Sequence, residues 1–162
     1  MPGLNPEHVK AVIRAINDGP FFRHMSMQVT ELGVGYSVVV IEIGKEHMNP
    51  FGVLHGGAIA SAIDTAAYWS AYGELPEESG LVSIDLKVDF LAPVADKKVV
   101  VKGQRIKSGK TIYLAEAKMS DRNGKVLAHG TSKLMVTRDR QSIIDVVRYV
   151  GSSQLPPKFL MK

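Results

Sequence analysis

Hydrophobic residues follow two different spacings along this chain, and the spacings divide it into predicted helices and strands. Apolar residues at helical spacing predict a short amphipathic helix that begins after Asn5 and stops at Asp18-Gly19-Pro20. Alternation with a period of two is clearest over residues 81–93, LVSIDLKVDFLAP, and predicts a strand. One face of this strand is predicted to carry Val82, Ile84, Leu86, Val88 and Phe90, and the other face Ser83, Asp85, Lys87 and Asp89.

The remaining segments predict one long helix among further strands. The helix covers residues 56–73, a polar break follows over 74–80, and a short C-terminal helix is predicted over 142–150. The other predicted strands cover residues 26–32, 36–43, 97–107, 111–120 and 125–137. Because short turns join the strands that follow the long helix, we expect a mostly antiparallel sheet packed on one helix, which is an α+β fold.

Length and composition fit one globular domain. The chain has 162 residues, of which 45% are hydrophobic and 22% charged. We expect a single domain over residues 1–138 and a C-terminal extension over 139–162. The absence of cysteine, of a signal-like start and of a long apolar run predicts a cytoplasmic protein without a membrane span.

Charge is distributed unevenly. Residues 97–140 contain twelve Lys and Arg residues against three acids, whereas the rest of the chain is net negative. Such a basic segment indicates an anionic ligand, although solvated strand faces would also account for it. Nucleic acid is not an expected partner, because no helix-turn-helix pattern, zinc-finger spacing or aromatic stacking motif is present.

The long helix, within HGGAIASAIDTAAYWSA, contains a single acid. Between His47 and Gly73, Asp64 is the only formally charged residue, and the helix is apolar on nearly every face. Such a helix is buried, and burial raises the pKa of a carboxyl toward the range useful for a general base. A structural acid facing a groove is the alternative, and the helix alone does not decide between the two.

Gly56 and Gly57 begin the same helix. Amide groups at a helix N-terminus lack helical partners, so they could form an oxyanion hole, or the glycines could simply permit a tight turn. Asp64 lies eight residues beyond Gly56, about 12 Å along the axis at 1.5 Å per residue. One active site that used both would therefore need two chains with antiparallel helices, as in a two-fold dimer.

The segment HMNPFGVLHGGAIASAIDTAAYWSA, followed by SIDLKVDFLAPV, resembles the hotdog-fold thioesterases of the PaaI-like branch, which is associated with phenylacetate degradation. The similarity runs from about His24 to Val136. It implies a long central helix wrapped by a curved antiparallel sheet of about six strands. It also implies dimers that often pair into tetramers, and hydrolysis of acyl-CoA thioesters without a metal or any cofactor beyond the coenzyme A of the substrate.

The resemblance implies a role for each matching residue. Asp64 takes the position of the acid that activates water or attacks directly, and Gly56, with Gly57 beside it, that of the oxyanion-hole amide. Asn49 matches the residue that positions the water or the carbonyl, His55 a site-shaping histidine, and Ser83 a hydroxyl that holds the attacking water. Lys107, Lys110 and Arg138 are candidates for binding the phosphates of coenzyme A.

Two other functions remain as alternatives. A hotdog-fold hydratase or dehydratase would act on acyl thioesters, but it needs a histidine and an acid at a different spacing from His55 and Asp64. A non-catalytic acyl-CoA sensor would carry an added DNA-binding domain, for which about 24 N-terminal residues are too few. The acyl group is not predicted, because Met48, Phe51, Tyr68 and Trp69 fit a pocket or a core equally well.

Overall fold

A fifteen-residue helix packs on one six-stranded antiparallel sheet in the computed structural model, which describes residues 3–138 and 140–160. The helices are α1 (Pro6–Asn17), α2 (Pro20–His24), α3 (Gly56–Ser70) and α4 (Ile143–Val150). The strands are β1 (Met27–Gly33), β2 (Tyr36–Glu42), β3 (Ser79–Phe90), β4 (Lys98–Lys107), β5 (Ile112–Ser120) and β6 (Val126–Arg138). Residues 1, 2, 139, 161 and 162, which the predicted domain and extension include, lie outside the described residues.

The strands lie in the order β1-β2-β4-β5-β6-β3, and every neighbouring pair is antiparallel. Helix α3 contacts all six strands. The predicted α+β class and the number of strands are therefore confirmed. Helix α3 ends at Ser70 rather than at residue 73 because a 3-10 turn, Tyr72–Glu74, follows it, and the short helix α2 was not predicted.

Small residues let α3 lie close to the sheet. Ala62, Ala66 and Ala67 are fully buried, and a Cβ on Gly103 of β4 would collide with the backbone of Ala66. At the same point the Ser37 hydroxyl donates a 2.7 Å hydrogen bond to the carbonyl oxygen of Ala66. The close approach of the helix backbone therefore requires glycine at position 103 of β4. This contact sets the distance between α3 and the sheet.

Strand β3 contains a bulge that changes which side chains face α3. Ser83 pairs with the buried Leu134, whereas Asp85 pairs with the exposed Lys133, so Ile84 has no direct partner. Directly opposed residues point to the same side of a sheet, and one extra residue reverses the alternation. The predicted separation of Ser83 from the apolar face is therefore wrong, because Ser83 faces the helix.

The C-terminal segment packs on the same chain. The amide of Asn5 donates to the carbonyl of Lys158, and Leu4 forms an antiparallel bridge with Phe159. The Lys158 side chain is fully buried, and its amine donates to the carbonyl oxygens of Tyr72 and Leu75 at 2.7 and 2.6 Å. Lys158 and Phe159 thereby connect the turn that follows the central helix with the N-terminal segment.

Among the helices of residues 3–138 and 140–160, none combines the length and the apolar character that crossing a bilayer requires.

Candidate active site

Asp64 lies on the third turn of α3 and is partly buried. The hydroxyl of Ser83 on β3 donates a 3.0 Å hydrogen bond to Asp64 Oδ1. Burial raises the pKa of the Asp64 carboxyl above its ordinary value, and the hydrogen bond from Ser83 opposes part of that rise. A carboxylate in this environment is a stronger base than a solvated one and is held at a defined position.

The Tyr68 hydroxyl lies one turn beyond Asp64 and donates to the carbonyl oxygen of Leu81 at 3.1 Å. Burial raises the pKa of this phenol to about 12, so Tyr68 stays protonated at neutral pH. The Tyr68–Leu81 hydrogen bond is a second contact between α3 and β3, one helical turn from the Asp64–Ser83 hydrogen bond. Together the two contacts fix the spacing between the helix and the edge strand.

His55 caps the N-terminus of α3 with its ring. Its Nδ1 accepts a 2.8 Å hydrogen bond from the amide of Gly57. The amide of Gly56 has no acceptor among the hydrogen bonds of the described residues. The two glycines were predicted to act side by side, but the structure gives their amides different roles. The Gly57 amide is bonded to His55, whereas the Gly56 amide can donate to a ligand.

Asn49 lies in the loop that leads into α3. Its Oδ1 accepts hydrogen bonds from the amides of Phe51 at 2.9 Å and Val53 at 3.3 Å. Only the oxygen of the side-chain amide can accept, so these contacts fix its orientation and leave Nδ2 to donate. Asn49 therefore both shapes its loop as an Asx turn and presents an N–H group outward.

The loop and the helix N-terminus form one unit. The amide of His55 donates to the carbonyl of His47 at 2.9 Å, and Met48 bridges to Leu54. A cleft of about 430 Å³ beside Gly56 is lined by apolar residues that include Val53 and Phe90. Asn49 and Gly56 thus belong to one end of α3.

Asp64 lies further along α3, about 12 Å from Gly56 at 1.5 Å per residue, and Ser83 lies beside Asp64 on β3. The predicted site residues accordingly fall into two groups within one chain, which we call the acid half-site (Asp64 and Ser83) and the amide half-site (Asn49 and Gly56). A hydrogen bond joins Asp64 to Ser83, whereas Asn49 lies in the loop that leads to Gly56 at the other end of the helix.

The predicted phosphate-binding residues are exposed at one end of the sheet. Lys107 ends β4, Lys110 lies in the turn before β5, and Arg138 ends β6 opposite Ser79. Arg138 also lines a shallow cleft with Glu77 and Glu78. Their contact with coenzyme A stays a prediction. Within residues 3–138 and 140–160, no group of three or more His, Asp or Glu side chains could hold a metal ion.

Sequence reasoning did not find the buried polar contacts of the C-terminal segment. His8 Nδ1 lies 2.6 Å from the carbonyl oxygen of Pro156, and His8 Nε2 lies 2.6 Å from the Tyr72 hydroxyl. Because Pro156 offers only an acceptor, Nδ1 carries the proton and the Tyr72 hydroxyl donates to Nε2. Single polar residues far apart in sequence give no periodic signal, and only the fold shows that they meet.

Comparisons with known proteins show which families the chain resembles. A sequence model of the thioesterase superfamily matches residues 51–128. Acyl-coenzyme A thioesterase 13 of Homo sapiens is 26% identical over 130 residues, which cover 76% of this chain and 91% of the human protein. A Saccharolobus solfataricus protein with the provisional name of an esterase is 29% identical over 119 residues, which cover 74% of this chain and 84% of that protein.

A solved structure supports the fold. The crystal structure of a thioesterase from Haemophilus influenzae superposes with a TM-score of 0.75 at 20% identity. The match covers 86% of this chain and 97% of the other. At this identity the similarity shows the fold, and it confirms the hotdog arrangement that the sequence resemblance implies.

Proposed function

We propose that the chain is a member of the thioesterase superfamily, whose sequence model matches residues 51–128, and that it hydrolyses acyl-CoA thioesters at sites that two copies of the chain build together. The observation that carries the proposal is the split of the site residues into an acid half-site at the middle of α3 and an amide half-site at its N-terminal end. Each half-site contains what the other lacks. The acid half-site supplies a base, and the amide half-site supplies hydrogen-bond donors for an oxyanion.

The surface along β3 supports pairing with a second copy. Strand β3 is an edge strand, and its backbone groups on one side have no neighbouring strand. Large apolar side chains are exposed along it and along the loop before α3: Phe51, Val53, Ile84, Leu86, Phe90 and Leu91. A two-fold dimer that joins two β3 edges would bury Ile84 and Leu86 on the strand itself and set the two α3 helices antiparallel.

Such a dimer would place the acid half-site of one chain opposite the amide half-site of the other. In our proposal the thioester carbonyl oxygen accepts hydrogen bonds from the Gly56 amide and from Asn49 Nδ2. The Asp64 carboxylate of the other chain removes a proton from a water held by the Ser83 hydroxyl, and the water oxygen attacks the carbonyl carbon. The resulting oxyanion stays at the two donors.

Collapse of this intermediate completes the reaction. The carbon–sulfur bond breaks, the thiolate of coenzyme A takes up the proton held by Asp64, and the free acid remains. Direct attack by Asp64 would instead break the carbon–sulfur bond, expel the thiolate of coenzyme A and leave a mixed anhydride, which water hydrolyses to the free acid and the Asp64 carboxylate. His55 is a positioning residue in both routes, because its ring holds the Gly57 amide and thereby the first turn of α3.

Release of free thiol from a panel of acyl-CoA esters tests the proposed function. We expect thiol release from at least one ester by the wild-type chain and loss of that release in Asp64→Asn. An enoyl-CoA ester in the same panel separates hydrolysis from hydration, because hydration adds water without releasing thiol. Binding of acyl-CoA without thiol release from any ester would overturn the proposal in favour of a sensor.

A further inference from the structure

A small apolar cavity lies next to the acid half-site and has no role in the chemistry proposed above. Its volume is about 130 Å³. Tyr68, Trp69 and Tyr72 line it from α3 and the turn after it, Leu81 from β3, and Ile143 and Val146 from α4. Tyr68 is one turn beyond Asp64 and Leu81 is two residues before Ser83, so the cavity lies about one helical turn beyond the Asp64–Ser83 pair, on the far side of the Tyr68–Leu81 hydrogen bond.

The C-terminal helix covers this cavity, and several local features hold it there. A Cβ on Gly80 would collide with the carbonyl oxygens of Arg140 and Gln141, so glycine permits the chain to cross β3 closely. Gln141 adopts a φ of 51°, which turns the chain sharply before Ser142. Ser142 and Asp145 then form a capping box that begins α4.

Helix α4 lies outside residues 51–128, which match the superfamily model. We propose that α4 closes a compact acyl-binding subsite, in which Ile143 and Val146 determine the length of acyl group that this chain accepts. The proposal rests on the proposed function, since it assigns the acyl end of the same thioester. The extension at the C-terminus thereby acts on specificity rather than on the chemical step.

The cavity under α4 and the cleft beside Gly56 differ in how open they are, and this difference indicates which of them binds the acyl group and which binds the pantetheine arm. The pantetheine arm must connect the reacting carbonyl with the nucleotide in solvent, so it needs an open path, which the cleft of about 430 Å³ beside Gly56 provides. The acyl end needs no exit. The less open cavity, covered by α4, fits that end.

Size then limits the acyl class. An apolar protein cavity of about 150 Å³ holds a benzene molecule, and the cavity here is slightly smaller. We therefore expect an aryl or short branched acyl group with roughly six carbon atoms beyond the carbonyl. Long straight chains would not fit unless α4 moved away.

Trp69 permits a direct test, because it is the only tryptophan of the chain and lines the cavity. The Asp64→Asn variant would be titrated with acetyl- and benzoyl-CoA while Trp69 fluorescence is recorded. We expect a saturable change with benzoyl-CoA that acetyl-CoA does not produce. Binding of benzoyl-CoA, measured by calorimetry, with unchanged Trp69 fluorescence would overturn the proposal, and this readout does not depend on hydrolysis.

Substitutions in α4 test the specificity role. We expect Val146→Ala to raise kcat/KM for acyl groups one or two carbons longer than the wild-type optimum by about tenfold relative to the optimum itself. Val146→Phe should lower kcat/KM for the aryl ester much more than kcat/KM for acetyl-CoA. Ile143→Ala should act like Val146→Ala, whereas Ile144→Ala on the exposed side of α4 should keep the wild-type profile.

The outcomes separate the two proposals. If thiol is released but the chain-length profile is the same in wild type, Val146→Ala and Val146→Phe, the subsite is wrong and the hydrolase stands. If no ester is hydrolysed but Trp69 responds to acyl length in the wild type and not in Val146→Phe, the subsite stands and the hydrolase is wrong. Melting temperatures of each variant confirm that it is folded.

Discussion

The Ser83 hydroxyl donates a 3.0 Å hydrogen bond to Asp64 because a β-bulge at Ile84 turns Ser83 toward the central helix. Without the bulge, Ser83 would share the outer face with Asp85, whose carboxylate contacts Lys133 at 3.1 Å. One extra residue in an edge strand thus joins a hydroxyl to a partly buried acid. Bulges of this kind commonly re-aim a single side chain next to a functional site.

Replacing Asp64 by Asn should abolish turnover and stabilise the fold. Loss of a general base lowers kcat by about 10²–10⁴-fold. Burial raises the pKa of Asp64, so the ionised carboxylate is disfavoured in the folded chain. The folded chain is therefore more stable while Asp64 is protonated, and this stability is lost as pH rises through the pKa of the folded chain. The variant should therefore melt at a higher temperature than wild type at pH 7, and this difference should shrink at acidic pH.

Thiol release and thermal melts at pH 4 and pH 7 check both statements. Asp89→Asn, which changes an exposed acid on the outer face of β3, serves as the matched control and should alter neither. Near wild-type turnover in Asp64→Asn would refute its role as base.

Replacing Ser83 by Ala should shift the pH dependence of the reaction. The hydrogen bond from Ser83 lowers the pKa of Asp64, against the larger effect of burial. Its loss should move the acidic limb of the kcat/KM profile to higher pH, because the base becomes protonated sooner as pH falls. Ser83→Thr keeps a hydroxyl and should keep the wild-type limb. Identical limbs in the Ala and Thr variants would contradict the coupling.

Helical and strand periodicity was sufficient to predict the six strands, three of the four helices that the structure describes and the position of Asp64, but not the short helix α2. The bulge at Ile84 was not predictable, because the alternation from Val82 to Phe90 is unbroken in sequence and the switch depends on pairing with β6. The glycine pair was identified, but which amide is free depends on the ring of His55, a tertiary detail. Local pattern specifies elements, whereas contacts between elements specify the site.

A mixture of two inactive variants should regain activity if the site is shared between chains. Asp64→Asn keeps the amide half-site and Asn49→Ala keeps the acid half-site. When equal amounts of the two variants pair at random, about half of the dimers contain one chain of each variant. Each mixed dimer has one intact site of two, so about a quarter of wild-type activity is expected.

Co-expression of differently tagged chains, followed by purification on both tags, isolates the mixed dimer for the thiol-release assay. The matched control mixes Asp64→Asn with Ser83→Ala, which damage the same half-site and should not restore more than the residual activity of the single variants. No recovery in the first mixture would show that each chain carries its own complete site.

A charge introduced at the β3 edge should dissociate the dimer, and activity should be lost with it. Ile84→Glu places a carboxylate at the edge of β3, where the Ile84 side chain is 52% exposed. Val34→Glu, at a side chain that is 55% exposed in the β1–β2 turn, is the matched control. Light scattering should report a monomer for Ile84→Glu and a dimer for the control, and an active Ile84→Glu monomer would contradict the shared site.

Replacing Lys158 by Met should weaken the fold in a pH-dependent manner. Burial lowers the pKa of the Lys158 amine to about 7. Between that value and the ordinary lysine value the unfolded chain binds more protons than the folded chain, so this group makes stability rise with pH, by at most about 1.4 kcal/mol per pH unit. Met removes that rise and leaves the carbonyls of Tyr72 and Leu75 without their donor, a loss of about 1–3 kcal/mol for each.

Urea unfolding at pH 7, 8 and 9 measures the effect as the difference in free energy of unfolding between wild type and Lys158→Met. That difference should grow as pH rises. Lys10→Met, on the exposed surface of α1, is the control and should follow the wild-type pH dependence. A constant difference across the three pH values would mean that the Lys158 amine has the same pKa in the folded and unfolded chains, and that its two carbonyl contacts hold it charged throughout.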